Sequence, residues 1–232
     1  GSWCSHAVVD ESDLVTVPSD IPVEYAAVLG SAPCAAMKLL EMGGLKDGDM
    51  FVLNGAEGLV GQTLIQLAAA KGIKTVALLK GRPGLEDISP HLKTLGATVV
   101  YPDHITKDYQ MKELMKTLPP AKIGYDGVGG ASGAAVAGLL PTGGTLVSYG
   151  CDDSHSGKEF LIPSEKKISV KQFSLASVPM SQRAATISEL ASMVKSEKLK
   201  LLLERASFDQ YRLALRKAYE GPRDRTLVMK MA

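Results

Sequence analysis

The sequence predicts an α/β fold: a doubly wound parallel sheet with helices on both faces. Three observations predict it. Short apolar runs alternate with amphipathic helical segments from Asp49 to Tyr149, and glycines punctuate the joins between them. The composition is that of an ordinary globular chain, 45% hydrophobic and 22% charged over 232 residues. Strands that alternate with helices in this way build a parallel sheet covered on both sides.

The elements follow in order. Met50-Phe51-Val52-Leu53 reads as the first strand and ends at Asn54-Gly55. Val60, Leu64, Leu67 and Ala68 then recur at i, i+4, i+7 and i+8, one buried face of a helix, which Gly72 stops. Lys74 to Leu79 is the second strand, followed by a helix from about Leu85 to Leu95 that ends at Gly96. Val99 to Tyr101 is the third strand, and Tyr109 to Leu118 a helix closed by Pro119-Pro120. Ile123 to Val128 is the fourth strand, Ala131 to Leu140 a helix, and Gly144 to Tyr149 the fifth strand. On the flanks, His6 to Val9 and Leu14 to Val17 read as two short strands. Ile168 to Leu175 reads as one more strand, Ile187 to Val194 as a helix, and Thr226 to Met231 as a last strand.

Composition excludes several classes of function. Lys+Arg 26 against Asp+Glu 25 leaves a net charge of +1, which gives no strongly basic footprint for nucleic acid and no polyanionic tail. Aromatic residues make up 5%, too few for a platform that stacks bases. The 3 cysteines, Cys4, Cys34 and Cys151, are far apart, and the 4 histidines fall singly. Neither a disulfide scaffold nor a zinc site of ordinary spacing is expected, and a reducing compartment fits. No apolar run reaches about 18 residues, so no membrane span is expected.

The chemistry is concentrated after the first strand. Gly55, Gly58 and Gly61 form G-x-x-G-x-x-G between a strand and a helix, the context of a Rossmann-like dinucleotide turn. Glycines there let backbone approach a pyrophosphate, and the helix start supplies free N–H groups at the positive end of its dipole. The bland alternative is that small residues only bring helix and strand close together. At the end of the second strand, where an acid would accept from both ribose hydroxyls, the chain has Lys80-Gly81-Arg82. Two cations suit a 2′-phosphate, so NADP(H) is expected over NAD(H). Two residues work against phosphate binding: Glu57 sets a carboxylate in the turn, and Leu59 adds a side chain where backbone should be bare. Ser132 lies in no nucleophile elbow and reads as a helix-start residue. Asp126 and Tyr149 end strands where ligands gather in such sheets, and each reads equally as a packing or turn residue. His104 and His155 stand in expected loops with no partner at a useful spacing.

Several segments together resemble the zinc-independent medium-chain dehydrogenase/reductase superfamily, and most of all its mitochondrial trans-2-enoyl thioester reductases. They are Val17 to Pro22, Pro33-Cys34, Val60-Gly61-Gln62, Arg82-Pro83, Lys93 to Ala97, Val128-Gly129-Gly130 and Gly143 to Gly150. The resemblance implies an NADPH-dependent reduction of an enoyl group carried on acyl carrier protein or coenzyme A, within mitochondria and commonly as a homodimer. It implies a dinucleotide-binding domain over 21–175, flanked by parts of a β-rich GroES-like catalytic domain. Residues 1–20 would be the last strands of that domain and 176–232 the return segment to it, with most of it, including its proton-donating tyrosine, outside the chain. On this template Gly55, Glu57, Gly58, Leu59, Val60 and Gly61 form the phosphate turn, and Lys80 and Arg82 meet the 2′-phosphate. Tyr149, Gly150, Cys151, Phe173 and Leu175 fall beside the nicotinamide, and Arg225 falls near a cofactor-contacting lysine. No residue is carried over as a catalytic proton donor, and none as a metal ligand.

The chain also departs from that template. Ala32 stands where the family has asparagine, Leu59 where it has glycine, Glu57 where it has an uncharged polar residue, and Ser174 where it has tryptophan. Two other readings therefore stand beside the reductase at this stage. One is a reductase-like pseudoenzyme serving as a structural subunit of a larger assembly, and the other is a zinc-free quinone oxidoreductase. The cofactor preference has a direct test. Arg82→Ala is expected to weaken NADPH binding while leaving NADH binding unchanged, as measured by the ratio of the two dissociation constants.

Overall fold

The computed structural model describes residues 4, 6–81, 85–150, 164–220 and 225–231. Two helices come first, α1 (Val23–Leu29) and α2 (Ala32–Gly43), followed by β1 (Met50–Leu53) and α3 (Leu59–Ala69). Then come β2 (Lys74–Leu79), α4 (Leu85–Thr94), β3 (Val99–Pro102), α5 (Tyr109–Lys116), β4 (Ala121–Asp126) and α6 (Gly130–Leu139). The chain continues through β5 (Thr145–Ser148), β6 (Ser169–Gln172), α7 (Met180–Lys195), β7 (Leu203–Ser207), α8 (Tyr211–Glu220) and β8 (Thr226–Lys230). The first six strands form one parallel sheet in the order β3-β2-β1-β4-β5-β6. β7 and β8 pair separately, also in parallel, with α8 as the crossover between them.

The period of two in a strand divides the core into two layers. Phe51 and Leu53 of β1 join Ala77, Leu79, Tyr125 and Val147 beneath α2, α3 and α7. Met50 and Val52 point the other way, into a second core with Val76, Leu78 and Leu146 under α5 and α6. All four β1 side chains are fully buried. Close packing is built into β4 as well: a Cβ on Gly124 would lie 2.6 Å from Val136 Cγ1, so α6 rests on the strand at a residue without a side chain. Tyr125 fills the first core, meeting Phe51 edge-on with ring centroids 5.3 Å apart, and its hydroxyl donates to the Leu39 carbonyl at 2.8 Å. Burial pushes its phenol pKa upward, so the hydroxyl remains a donor.

The C-terminal segment is docked by polar contacts as well as by its leucines. The Gln66 side-chain amide donates to Lys200 O and accepts from Lys200 N, both at 2.8 Å. The Tyr25 hydroxyl meets the backbone of Leu201 in both directions, and Leu199 and Leu201 are buried. α7 lies against α1 and α2.

The flanks differ from expectation. Residues 6–10 and 14–17 are not strands, a short 3₁₀ turn lies between them, and Val8 is fully exposed. Among the described residues no strand pairs with them, and an unpaired strand in water is not stable. The sequence pattern does not predict helices α1, α2 and α8 or strand β7, and α7 begins at Met180, about two turns earlier than the periodicity suggests. Among the described residues no single helix is long and apolar enough to cross a membrane. No group of three or more His, Cys, Asp or Glu among them could hold a metal.

Tyr125→Phe removes one buried donor and leaves the ring packing intact. It is expected to cost about 1–2 kcal/mol, read as a lower urea midpoint with an unchanged slope.

Candidate functional site

The sheet order places β1 between β2 and β4, so the chain winds one way from β1 to β3 and the other way from β4 to β6. Outside the carboxyl ends of the two central strands this leaves a crevice, the place where open α/β sheets bind ligands. Leu53 pairs with Tyr125, so the next residues, Asn54 and Asp126, face each other at the crevice floor. Asn54 Nδ2 donates to Asp126 Oδ1 at 2.6 Å and to Ser132 Oγ at 3.1 Å. Asn54 Oδ1 accepts from Gly127 N at 2.8 Å, while Asp126 Oδ1 accepts from Val128 N at 3.1 Å and Gly129 N at 2.8 Å. One buried amide and one buried carboxylate thus shape the loop after β4 and tie it to the loop after β1. Ser132 belongs to this network, on the first turn of α6 as the sequence suggests. On the next strand Ser148 is paired with Asp126, and Asp126 Oδ2 and Ser148 Oγ are buried with no hydrogen-bond partner among the described residues.

The glycine turn has the geometry its spacing implies. Gly55 adopts φ +58°, and a Cβ there would lie 3.1 Å from Val128 Cγ2 on the facing loop. Gly58 donates its amide to Gly55 O and becomes the N-cap of α3, with no side chain capping the helix. The first-turn amides of α3, those of Leu59, Val60 and Gly61, therefore have no acceptor within the helix. A Cβ on Gly61 would stand 2.6 Å from Ala56 Cα and 2.7 Å from Ala56 O, so helix and turn touch through backbone. Leu59 and Val60 are half-buried and pack against the first core. Glu57 is buried, 6% exposed, and its carbonyl accepts from Gln62 Nε2 at 2.6 Å.

The ends of β5 and β6 close the other side. Tyr149 donates its backbone N–H to Asp126 O at 2.9 Å, and its ring lies over Gly127, where a Cβ would come within 2.6 Å of the hydroxyl. Burial first, then the charges of Asp126 and Glu57, push the Tyr149 phenol pKa upward. Gly150 approaches the Gly127 backbone so closely that a Cβ would be 2.9 Å from its carbonyl. Phe173 and Leu175 follow β6 and pack against the same core as Tyr149. The structure therefore gathers the glycine turn, Tyr149, Gly150, Phe173 and Leu175 around the carboxyl edge of one sheet. Arg225 is exposed at the entrance to β8 of the small sheet. Lys80 is exposed at the exit of β2, and Arg82 and Cys151 lie outside the described residues.

Two groups have partners that sequence spacing does not show, and His104, expected to stand without one, is among them. The bridging role of Asn54 depends on the β1–β4 register, which no local spacing shows; an Asn just before the glycine turn was the available hint. The second group is on the loop after β3, where Asp103 accepts from Gly81 N at 3.3 Å beside His104.

Asn54→Asp would set a second carboxylate against Asp126 within hydrogen-bond distance. A destabilisation of about 3 kcal/mol or more at neutral pH is expected, larger than for Asn54→Ser, measured by chemical unfolding of both variants.

No family model matches the chain. The enoyl-[acyl-carrier-protein] reductase, mitochondrial, of Dictyostelium discoideum is 30% identical over 240 residues, covering 100% of this chain and 68% of that protein. Among solved structures, the mitochondrial 2-enoyl thioester reductase Etr1p/Etr2p heterodimer from Candida tropicalis superposes with a TM-score of 0.75 at 21% identity, over 88% of this chain and 62% of that one. The Etr1p/NADP/crotonyl-CoA complex superposes with a TM-score of 0.70 at 20% identity, over 87% and 60%. The chain thus spans about three fifths to two thirds of the length of these relatives. With the fold, the glycine turn and a relative matched over the whole of this chain, the chain belongs to the mitochondrial-type enoyl-acyl-carrier-protein reductase family of the medium-chain dehydrogenase/reductase superfamily.

Proposed function

We propose that the chain is the NADP(H)-binding portion of an enoyl thioester reductase that acts on a trans-2-enoyl group carried by acyl carrier protein or coenzyme A. The observation that carries this reading is the cradle between β1 and β4. Gly58 leaves the first turn of α3 uncapped, and a Cβ on Gly61 would collide with Ala56, so bare backbone and free amides line the place where a pyrophosphate binds. α6 likewise begins without a side-chain cap, at Gly129 and Gly130, both with positive φ. The residues present fit a dinucleotide.

When bound, the reduced nicotinamide supplies the hydride for the β carbon of the enoyl thioester. This chain binds, orients and shields. The α3 amides and dipole hold the pyrophosphate, while Gly127 and Gly150 let the backbone come close at the far end of the crevice. Tyr149 keeps its proton and offers an O–H donor there. Phe173 and Leu175 supply apolar surface that keeps water from the reacting carbon. No residue of the chain is assigned the proton transfer to the α carbon. All four residues of β6 are exposed at the edge of the sheet, an edge that favours pairing with a second copy and supports a homodimer. The names of the relatives support a mitochondrial location.

Titration of the folded chain with NADPH and with NADH tests the reading. Binding that favours NADPH is expected, and a folded chain that binds neither would overturn it. Gly58→Asp sharpens the test: aspartate is a good N-cap, which offsets the 3.3 Å approach of its Cβ to Gly55 O, so thermal stability is expected to change little. Its carboxylate would face the pyrophosphate, so NADPH affinity is expected to fall by at least about tenfold.

A further inference from the structure

We propose that His104, on the loop after β3, contacts the 2′-phosphate and sets the preference for NADPH over NADH; this rests on the cofactor reading above. In a doubly wound sheet the residues leaving β2 meet the adenine ribose. Leu79 of β2 pairs with Pro102 of β3, so the residues that follow, Lys80-Gly81 and Asp103-His104, emerge side by side. Gly81 and the imidazole are in direct contact: a methyl group on Gly81 would collide with His104 Nδ1 and Cε1. The ring thus lies on the one residue of that exit with no side chain to cover it.

Asp103 and His104 differ sharply in exposure. Asp103 is turned inward, its side chain 11% exposed, where Oδ1 accepts from Gly81 N at 3.3 Å and stands 3.9 Å from His104 Nδ1. Its Oδ1 is engaged with the Gly81 amide and its side chain is largely covered, which disfavours the contact to a ribose diol that would favour NADH. His104 is turned outward, its side chain 61% exposed. The loop therefore presents an imidazole N–H, a donor suited to a phosphate oxygen. Lys80, also exposed at this exit, adds positive charge of the same preference. Discrimination at the 2′ position thus comes from two adjacent strand ends.

The test compares dissociation constants for NADPH and NADH on the full chain. His104→Ala is expected to weaken NADPH binding about tenfold with NADH binding unchanged. His104→Asp should reverse the preference. The exposed ring makes loss of folding an unexpected outcome, and unchanged thermal unfolding of both variants checks it. Equal changes for the two nucleotides, or none, would overturn the assignment of His104 while leaving the cofactor reading intact. A wild-type chain that binds neither nucleotide would overturn both.

Discussion

Burial of β1 on both faces is the constraint on which the rest of the structure depends. Its four side chains are fully buried, alternating between two cores, and its backbone is hydrogen-bonded to parallel neighbours on both edges. A strand enclosed in this way must leave the sheet abruptly, because Asn54, directly after it, is buried too. The polar backbone at its exit then has to be satisfied from within. Asn54 and the positive φ of Gly55 achieve this, one by bonding across to the β4 loop and the other by turning the chain toward α3. The crevice is a consequence of that exit: two central strands end side by side, and the helices that follow them diverge.

The crevice joins opposite electrostatic features over a short distance. The starts of α3 and α6 contribute uncapped amides, while Asp126 and Glu57 contribute buried carboxyl groups. Oδ1 of Asp126 is occupied by the backbone of its own loop and by Asn54, so its main role is to hold the loop's shape. Glu57 shows its effect at Tyr149, where burial first and then the charges of Asp126 and Glu57 push the phenol pKa upward. A neutral donor beside free amides is a coherent setting for an anionic, hydroxyl-bearing ligand. Ala32 and Ser174 also fit the fold as it stands: Ala32 opens α2 half-buried, and Ser174 precedes a short 3₁₀ turn whose Ser177 hydroxyl bonds back to it at 2.7 Å.

What could be read from the sequence was what local chemistry determines. The alternation of Met50 to Leu53 and Lys74 to Leu79 with glycine-stopped helices gave the sheet, because apolar strands bounded by Gly55, Gly72 and Gly96 have few other ways to be buried. The glycine turn was legible for the same reason, since each of its glycines serves a steric need within seven residues. The flanking strands were misjudged because a short β-prone run such as Leu14 to Val17 forms a strand only where a partner edge exists. α2 was overlooked although Cys34, Met37 and Leu40 lie three residues apart, since proline and small residues at its start hide the pattern. Asn54, Asp103 and His104 share one difficulty: their partners are on neighbouring strands, and register is a property of the sheet rather than of any segment.

The same distinction explains the division of labour along the crevice. On the cofactor reading proposed above, pyrophosphate recognition needs only one strand, one turn and one helix start, and the contiguous segment from Met50 to Ala69 would supply them. Recognition at the ribose would have no such local solution, because a strand exit offers room for only a few side chains and Gly81 gives up one of these places. The vacant place is filled from β3, whose end is fixed beside β2 by four paired residues. Gly81 is therefore not simply a missing contact. Its lack of a side chain admits the imidazole, and its amide anchors the Asp103 carboxylate that accompanies it. Leu59 follows a similar logic at the other end: half-buried against the core, its side chain is engaged in packing, and the backbone amide at the start of α3 remains the group that faces the turn.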